Sequence, residues 1–209
     1  MPKKRDLVPV TTAAGNGQDI ASRIGAAILG FLGEVPGSRQ TPSRTPAESA
    51  RQVANRAAAK AATAAGTLAL PPGPLGWLTI LPEMVAVWKV QAAMVADIAA
   101  VYGKQGSLTQ EQMLYCLFKH TASQAVRDLV VRAGERWLVK QATLSTLQAI
   151  ARRIGAHISE RALTKTASRW LPVVGALGVA AYAYYDTAQV AKAAIELFER
   201  ELDVEPTAA

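Results

Sequence analysis

The chain has 209 residues, half of them hydrophobic and only 19% charged, which is enough for one hydrophobic core and excludes a disordered, charge-dominated polymer. Its 23 basic residues against 16 acidic ones give a formal charge of +7 and a pI near 9.8, a balance that attracts anionic partners such as lipid or nucleic acid. Cys116 is the single cysteine, so an intramolecular disulfide is excluded and a reducing compartment is expected.

Lys3, Lys4 and Arg5 resemble the head of a secretory signal, but Leu7 to Val10 is too short and too broken by Pro9 to be its apolar core. A cytoplasmic N-terminus is expected. Gly15-Asn16-Gly17 is a turn signal, after which Ile20, Ile24, Ile28 and Phe31 recur at helical spacing up to Gly33. This reads as a short amphipathic helix, suited either to anchoring on a membrane or to packing back on the body. From Glu34 to Thr45, Pro36, Gly37, Pro42 and several Ser, Thr and Arg residues form a linker composition that does not build a core.

Thr45-Pro46-Ala47-Glu48 combines an N-cap, a proline at the first helical position and a glutamate three residues after the cap. A helix is expected from there to about Ala65, stopped by Gly66. Pro71, Pro72, Pro74 and Pro82 then interrupt an uncharged run, which argues against a simple membrane-spanning helix. The stretch from Leu78 to Gly103 is apolar almost all round, interrupted by Glu83, Lys89, Gln91 and Asp97. Its helix is expected from Pro82 to Tyr102, with Val85, Trp88, Ala92, Val95, Ala99 and Tyr102 on one face and Ala86, Ala93, Ala96 and Ala100 on a second. Glu83 would then lie in the first turn, where a carboxylate suits the helix dipole, and Lys89 and Asp97 would mark the wetter edge.

Thr109 and Gln112 form a second capping box. Apolar positions continue through Met113, Leu114 and Leu117 to Val126, Leu129 and Val130, with a break at Gly134 and no convincing strand alternation. Leu144, Leu147, Ile150, Ile154 and Ile158 predict another helix reaching about Arg169. Trp170 to Tyr185 carries no charge and falls short of the ~20 residues that span a bilayer. Burial against the central helix is expected, with shallow insertion as the competing state, and the tail after Asp203 is too short to form an element.

The order of these features resembles the EcsC family, bacterial proteins named after a member encoded with an ABC transporter. The resemblance runs from about Arg56 to Phe198. It rests on the alanine-rich helix entering Gly66-Thr67, the broken passage to Leu81-Pro82, and the helix through Gln91 and Ile98 to Ala100-Val101-Tyr102-Gly103. The closing LPVVGALG, followed by Val190, Ala194 and Phe198, completes it. Tyr182 stands where a polar residue is expected, and Ala188-Gln189 where basic residues are common, which weighs against a charge-based role for the last helix. The resemblance implies a helical, membrane-associated bacterial protein without an established catalytic residue set, with an ABC transporter as a candidate partner.

Candidate chemistry is sparse. Cys116 and His120 are four apart and could share a helix face, but with one cysteine and two histidines in the chain, a zinc site would need His157 or distant carboxylates. They read as a packed cysteine beside a surface histidine, and no orienting group or oxyanion site accompanies them. No nucleotide-binding glycine pattern, cofactor motif or metal motif is present, and no catalytic motif is identified. Arg161, Lys165 and Arg169 form a stripe leading into Trp170, placed to contact anionic headgroups. Arg127, Arg132, Arg136 and Lys140 offer a second, less regular basic side. Trp88, Gly175, Gly178 and Tyr182 are the candidate positions for apolar packing or insertion.

The resulting expectation is an all-α protein: a single helical bundle of about six or seven helices, residues 45–203, with a short amphipathic N-terminal helix on a linker in residues 1–44 and a tail at 204–209. Its expected role is non-enzymatic and membrane-peripheral, engaging anionic lipid or a membrane protein at the inner face of the cell membrane. The alternative is a soluble helical enzyme or a carrier of a small apolar ligand held in an inter-helix cavity. Nucleic acid is not an expected partner, because no helix-turn-helix signature or aromatic stacking platform accompanies the charge.

Overall fold

The computed structural model describes residues 11–33, 35–68, 76–133, 136–164, 172–200 and 204–205. Among them are seven α-helices: α1 Thr11–Leu32, α2 Pro46–Leu68, α3 Gly76–Val101, α4 Gln110–Phe118, α5 Ser123–Val126, α6 Leu144–Thr164 and α7 Pro172–Glu199. The fold is all-α, in one bundle.

Local signals place several boundaries where the sequence predicts them. Helix α2 starts at Pro46, where the Thr45 amide donates to Ser43 Oγ at 3.2 Å. It runs three residues past Ala65, through Gly66, and Thr67 Oγ1 donates back to the Thr63 carbonyl at 3.0 Å. The second capping box is complete: Thr109 Oγ1 accepts from the Gln112 amide at 3.3 Å, and Gln112 Oε1 accepts from the Thr109 amide at 3.0 Å.

Other expectations are corrected. Gly15-Asn16-Gly17 lies inside α1 rather than in a turn. Helix α3 begins at Gly76 and carries Pro82 within it, so Glu83 is not in its first turn. Pro82 is exposed, and a proline costs least where the amide bond it removes lies on the solvent side of the helix. A small sheet also forms where no strand was expected. Strand β1, Val130–Ala133, pairs antiparallel with β2, Arg136–Lys140, and β3, Val204–Glu205, adds parallel to β2. Val130, Val131 and Val139 are β-branched and suit this pairing better than a helix. The tail beyond Asp203 therefore does form an element. Of the second basic side, Arg132, Arg136 and Lys140 fall on strands and Arg127 in a 3-10 turn. Gly134 and residues 165–171 lie outside the described residues, and with them the end expected for α6.

The core is built on α3. Trp88, Ala92, Met94, Val95, Ala96, Ile98, Ala99 and Val101 are buried, while Lys89 and Ala93 face water. Trp88 meets Phe118 of α4 edge to face, with ring centroids 5.4 Å apart. Alanines of α2, among them Ala58, Ala61 and Ala65, allow that helix to lie close to α3 and α7, whose Val190, Ala194, Leu197 and Phe198 complete the centre. Helix α1 docks on α6, with Ile24 and Ile28 fully buried. The connecting stretch is tied down as well: Ser38 Oγ donates to Asp97 Oδ1 at 2.5 Å and the Ser43 amide to the Val101 carbonyl at 2.9 Å. Asp97, read as part of a wetter edge, is thus a half-buried acceptor.

Candidate functional site

Helix α7 changes character at Asp186. Towards the C-terminus Thr187, Val190, Ala191, Ala193, Ala194, Leu197 and Phe198 are buried, with Lys192 exposed; towards the N-terminus Leu177, Gly178, Ala181, Tyr182, Tyr184 and Tyr185 are exposed. The expected burial of the uncharged segment against α3 is therefore corrected at Leu177, Tyr182, Tyr184 and Tyr185. Leu177 is 67% exposed, Tyr182 50%, Tyr184 45% and Tyr185 60%, whereas Ala183 is buried. Leu177, Ala181, Tyr184 and Tyr185 follow an i, i+4, i+7, i+8 spacing, so they occupy one face of the helix. The physical reason is composition. In this half the large side chains Leu177, Tyr182, Tyr184 and Tyr185 are exposed and the small Ala183 is the buried one, whereas the small or β-branched Val190, Ala191 and Ala194 are buried in the other half.

At the boundary lies a polar node joining three segments. Asp186 Oδ1 accepts from His120 Nε2 at 2.6 Å, and Asp186 Oδ2 accepts from Gln91 Nε2 of α3 at 2.7 Å. Gln91 Nε2 also donates to Thr187 Oγ1 at 3.2 Å. Gln91 and Thr187 are fully buried, and the Asp186 and His120 side chains are only 13% and 18% exposed. His120 is positioned by the end of α4, where the Lys119 amide bonds to the Tyr115 carbonyl and the Ala122 amide to the Phe118 carbonyl. It is a partner in the core rather than the surface histidine expected. The neighbouring Lys119 Nζ reaches Glu196 Oε2 at 2.8 Å. Asp186 and Glu196 are ten residues apart on α7, roughly 15 Å along the axis, so the two adjacent side chains of this turn clasp α7 at two levels.

The electrostatics are those of a clasp. Burial by itself would lower the Lys119 pKa, but hydrogen bonds to Glu196 and Tyr115 and their charges outweigh it, so the value is raised. The hydrogen bond from Lys119, with the charges of Lys119, Arg200 and Lys192, holds Glu196 below its ordinary value against the effect of burial. Cys116 is fully buried, and burial pushes its thiol up to about 12 against a small opposing pull from Lys119. It is therefore no thiolate nucleophile at neutral pH. No group of three metal-ligating side chains occurs among the described residues. Gln91 Oε1 and His120 Nδ1 are buried without a protein hydrogen-bond partner.

Of the residues singled out from the sequence, Trp88 packs in the core, Gly178 is exposed with open space around it, and Tyr182 is half exposed. Gly175 is in the first turns of α7 and Arg161 near the end of α6, while Lys165, Arg169 and Trp170 lie outside the described residues. The node was missed. Its signal was available: Gln91 interrupts an apolar helix, and Asp186 is the first charge after an uncharged one. Two described hollows, of about 590 and 610 Å³, are open to solvent. One lies at the start of α2 near Arg51 and Tyr102, the other between α2 and α7 over Ala58, Ala191 and Ile195.

The model of the EcsC protein family matches residues 38–202. The chain belongs to the EcsC family. A search of curated proteins and one of solved structures found no match. The EcsC segment begins between Pro36-Gly37 and α2, so it contains the node, the clasp and the exposed half of α7, and α1 precedes it.

Proposed function

We propose that this EcsC protein is a non-enzymatic, membrane-peripheral helical protein that engages anionic lipid at the inner face of the cell membrane. The observation that carries this reading is the outward, uncharged half of α7, with Leu177, Tyr182, Tyr184 and Tyr185 exposed. Tyrosines bring an apolar ring and a polar tip, the combination favoured at the headgroup boundary, and the net charge of +7 attracts an anionic surface. Fully burying one such large side chain is worth about 1.5–3 kcal/mol, so a few of them partly inserted give reversible attachment.

Helix α3 contains an 18-residue window, Met84–Val101, of mean hydropathy 1.6, which by length and composition could cross a membrane. More than half of it, 56%, is buried inside the protein, and it forms the centre of the bundle. That favours peripheral attachment through α7 over insertion of α3. The two open hollows and the protonated, buried Cys116 do not favour an enclosed ligand cavity or covalent catalysis.

The test is co-sedimentation with neutral and anionic vesicles at low and high salt. The wild type should pellet with anionic vesicles, lose binding as salt screens the charges, and weaken on Leu177→Asp or the pair Tyr184→Ser and Tyr185→Ser. Charge reversal at Arg161, Lys165 and Arg169 should weaken it further. A protein that stays in solution under every condition would overturn the reading; a small molecule copurifying with it would then favour a carrier. Pelleting only with membranes that contain an ABC transporter would replace lipid with a protein partner.

A further inference from the structure

Helix α1 lies outside the EcsC segment and packs chiefly on α6, which in turn makes most of its helix contacts with α1. The joint is a backbone seam. A methyl group at Gly155 would run into the carbonyl oxygen of Ala21 and come within 3.1 Å of the Gly25 amide nitrogen. One at Gly25 would come within 3.3 Å of the Ala151 carbonyl oxygen. Ile24 and Ile28 of α1 and Ile150 and Ile154 of α6 are buried and belong to the same core cluster.

The attachment of α1 also has a natural hinge. From Ser38 onward the chain is held to α3 by the bonds to Asp97 and Val101, neither of which involves α1. Before that point stand Gly33, Pro36 and Gly37, and the cross-contact of Gly33 is a long 3.5 Å bond from Gln110 Nε2 to its carbonyl. Once free, α1 has one apolar face, Ile24 and Ile28, and an apolar run, Ala21–Gly30, too short to span a bilayer. Arg23 on α1 is exposed, as is Arg152, whose Cα lies against Gly25 across the seam.

We propose that α1 is a releasable strap: docked on the α6 seam in the free protein, it lifts off at an anionic bilayer and lies in its interface as an amphipathic helix. This rests on the membrane reading above but concerns a different element from α7. It makes membrane engagement conditional, because the strap covers its own apolar face and that of α6 until both find lipid.

The experiment is a distance measurement between spin labels at Ala26→Cys and Gln148→Cys, both exposed positions on the two helices, in the full chain; the buried Cys116 takes no label. Labels are read in solution, on phosphatidylcholine vesicles, and on vesicles of equal phosphatidylcholine and phosphatidylglycerol. The expected result is one short distance in solution and on neutral vesicles, and a longer, broader distribution on anionic ones. Gly25→Leu, which wedges the seam from the α1 side and leaves α6 unaltered, should open it in solution and tighten vesicle binding by about tenfold by removing the docked competitor state. Gly155→Leu should do the same from the other side. Binding to anionic vesicles with an unchanged distance would overturn the strap and leave the α7 reading standing. A wedge variant that opens the seam without tighter binding would also overturn it. Failure of every variant to bind would sink both.

Discussion

Helices α1 and α6 meet across their backbones; α3 and α7 meet across their side chains. The first joint depends on glycine and alanine, has isoleucines on its flanks, and gains from close approach. The second encloses large apolar side chains and a hydrogen-bonded node, in which Gln91 reaches both Asp186 and Thr187. A seam of small residues gives little burial energy per residue and is strained where a methyl is added at Gly155. A side-chain joint loses more when it is hollowed than when its polar members are adjusted. One bundle thus holds one region by contact distance and another by what fills it.

The largest test is Trp88→Ala. Removing a ring that is 6% exposed and packed on Phe118 should cost about 3–5 kcal/mol and lower the whole unfolding transition, read by thermal and urea melts. Next is Gly155→Ala, expected to cost roughly 2–3 kcal/mol through overpacking but to act on α1 and α6 first, read by hydrogen exchange of those helices. If it instead lowered protection equally in α3, the two regions would be one cooperative unit and the comparison would break. Asp186→Ala removes one acceptor from the buried amide of Gln91, which keeps Thr187, and the partner of His120 Nε2, a loss of about 1–3 kcal/mol; combining it with Gln91→Leu should recover part of that, because the amide donor is then gone as well.

Two smaller effects sharpen the picture of the second joint. Native Cys116 should react with a maleimide only as fast as the core opens, since its thiol is buried and raised to about 12; fast labelling at neutral pH would mean that α4 is loosely packed. The Lys119–Glu196 pair, about a third exposed, should contribute less than about 1 kcal/mol. Glu196 has a lowered value, so its part is present above the ordinary carboxylate range and is lost as pH falls through the folded value. Lys119 has a raised value, so its part is present below the ordinary ammonium range and is lost as pH rises through the folded one. Stability of Lys119→Met relative to wild type, measured from acid to alkaline pH, should show its largest deficit between those limits.

Signals that act within a few residues were legible in advance. Thr45-Pro46 and the Thr109–Gln112 box announce helix starts because a cap satisfies amides of its own first turn. Trp88 and the apolar row of α3 were legible as core because a buried helix must be apolar on several sides. The hairpin of Val130–Lys140 was not, since its apolar positions also fit a short helix and only strand pairing decides between them. The node was half legible. Gln91 and Asp186 stand out as interruptions, but they are 95 residues apart, and no local pattern says that they meet.

The sequence by itself determined the class of this protein: helical spacing, caps and alanine content require packed helices, and the order of its motifs places it in the EcsC family. Only the tertiary structure decided which apolar surfaces found partners. Periodicity shows that a face must be covered but carries no information on what covers it. The docking of α1 on α6, where Gly25 and Gly155 allow close approach, and the exposure of Leu177, Tyr184 and Tyr185 on α7 were settled by fit between surfaces distant in the chain.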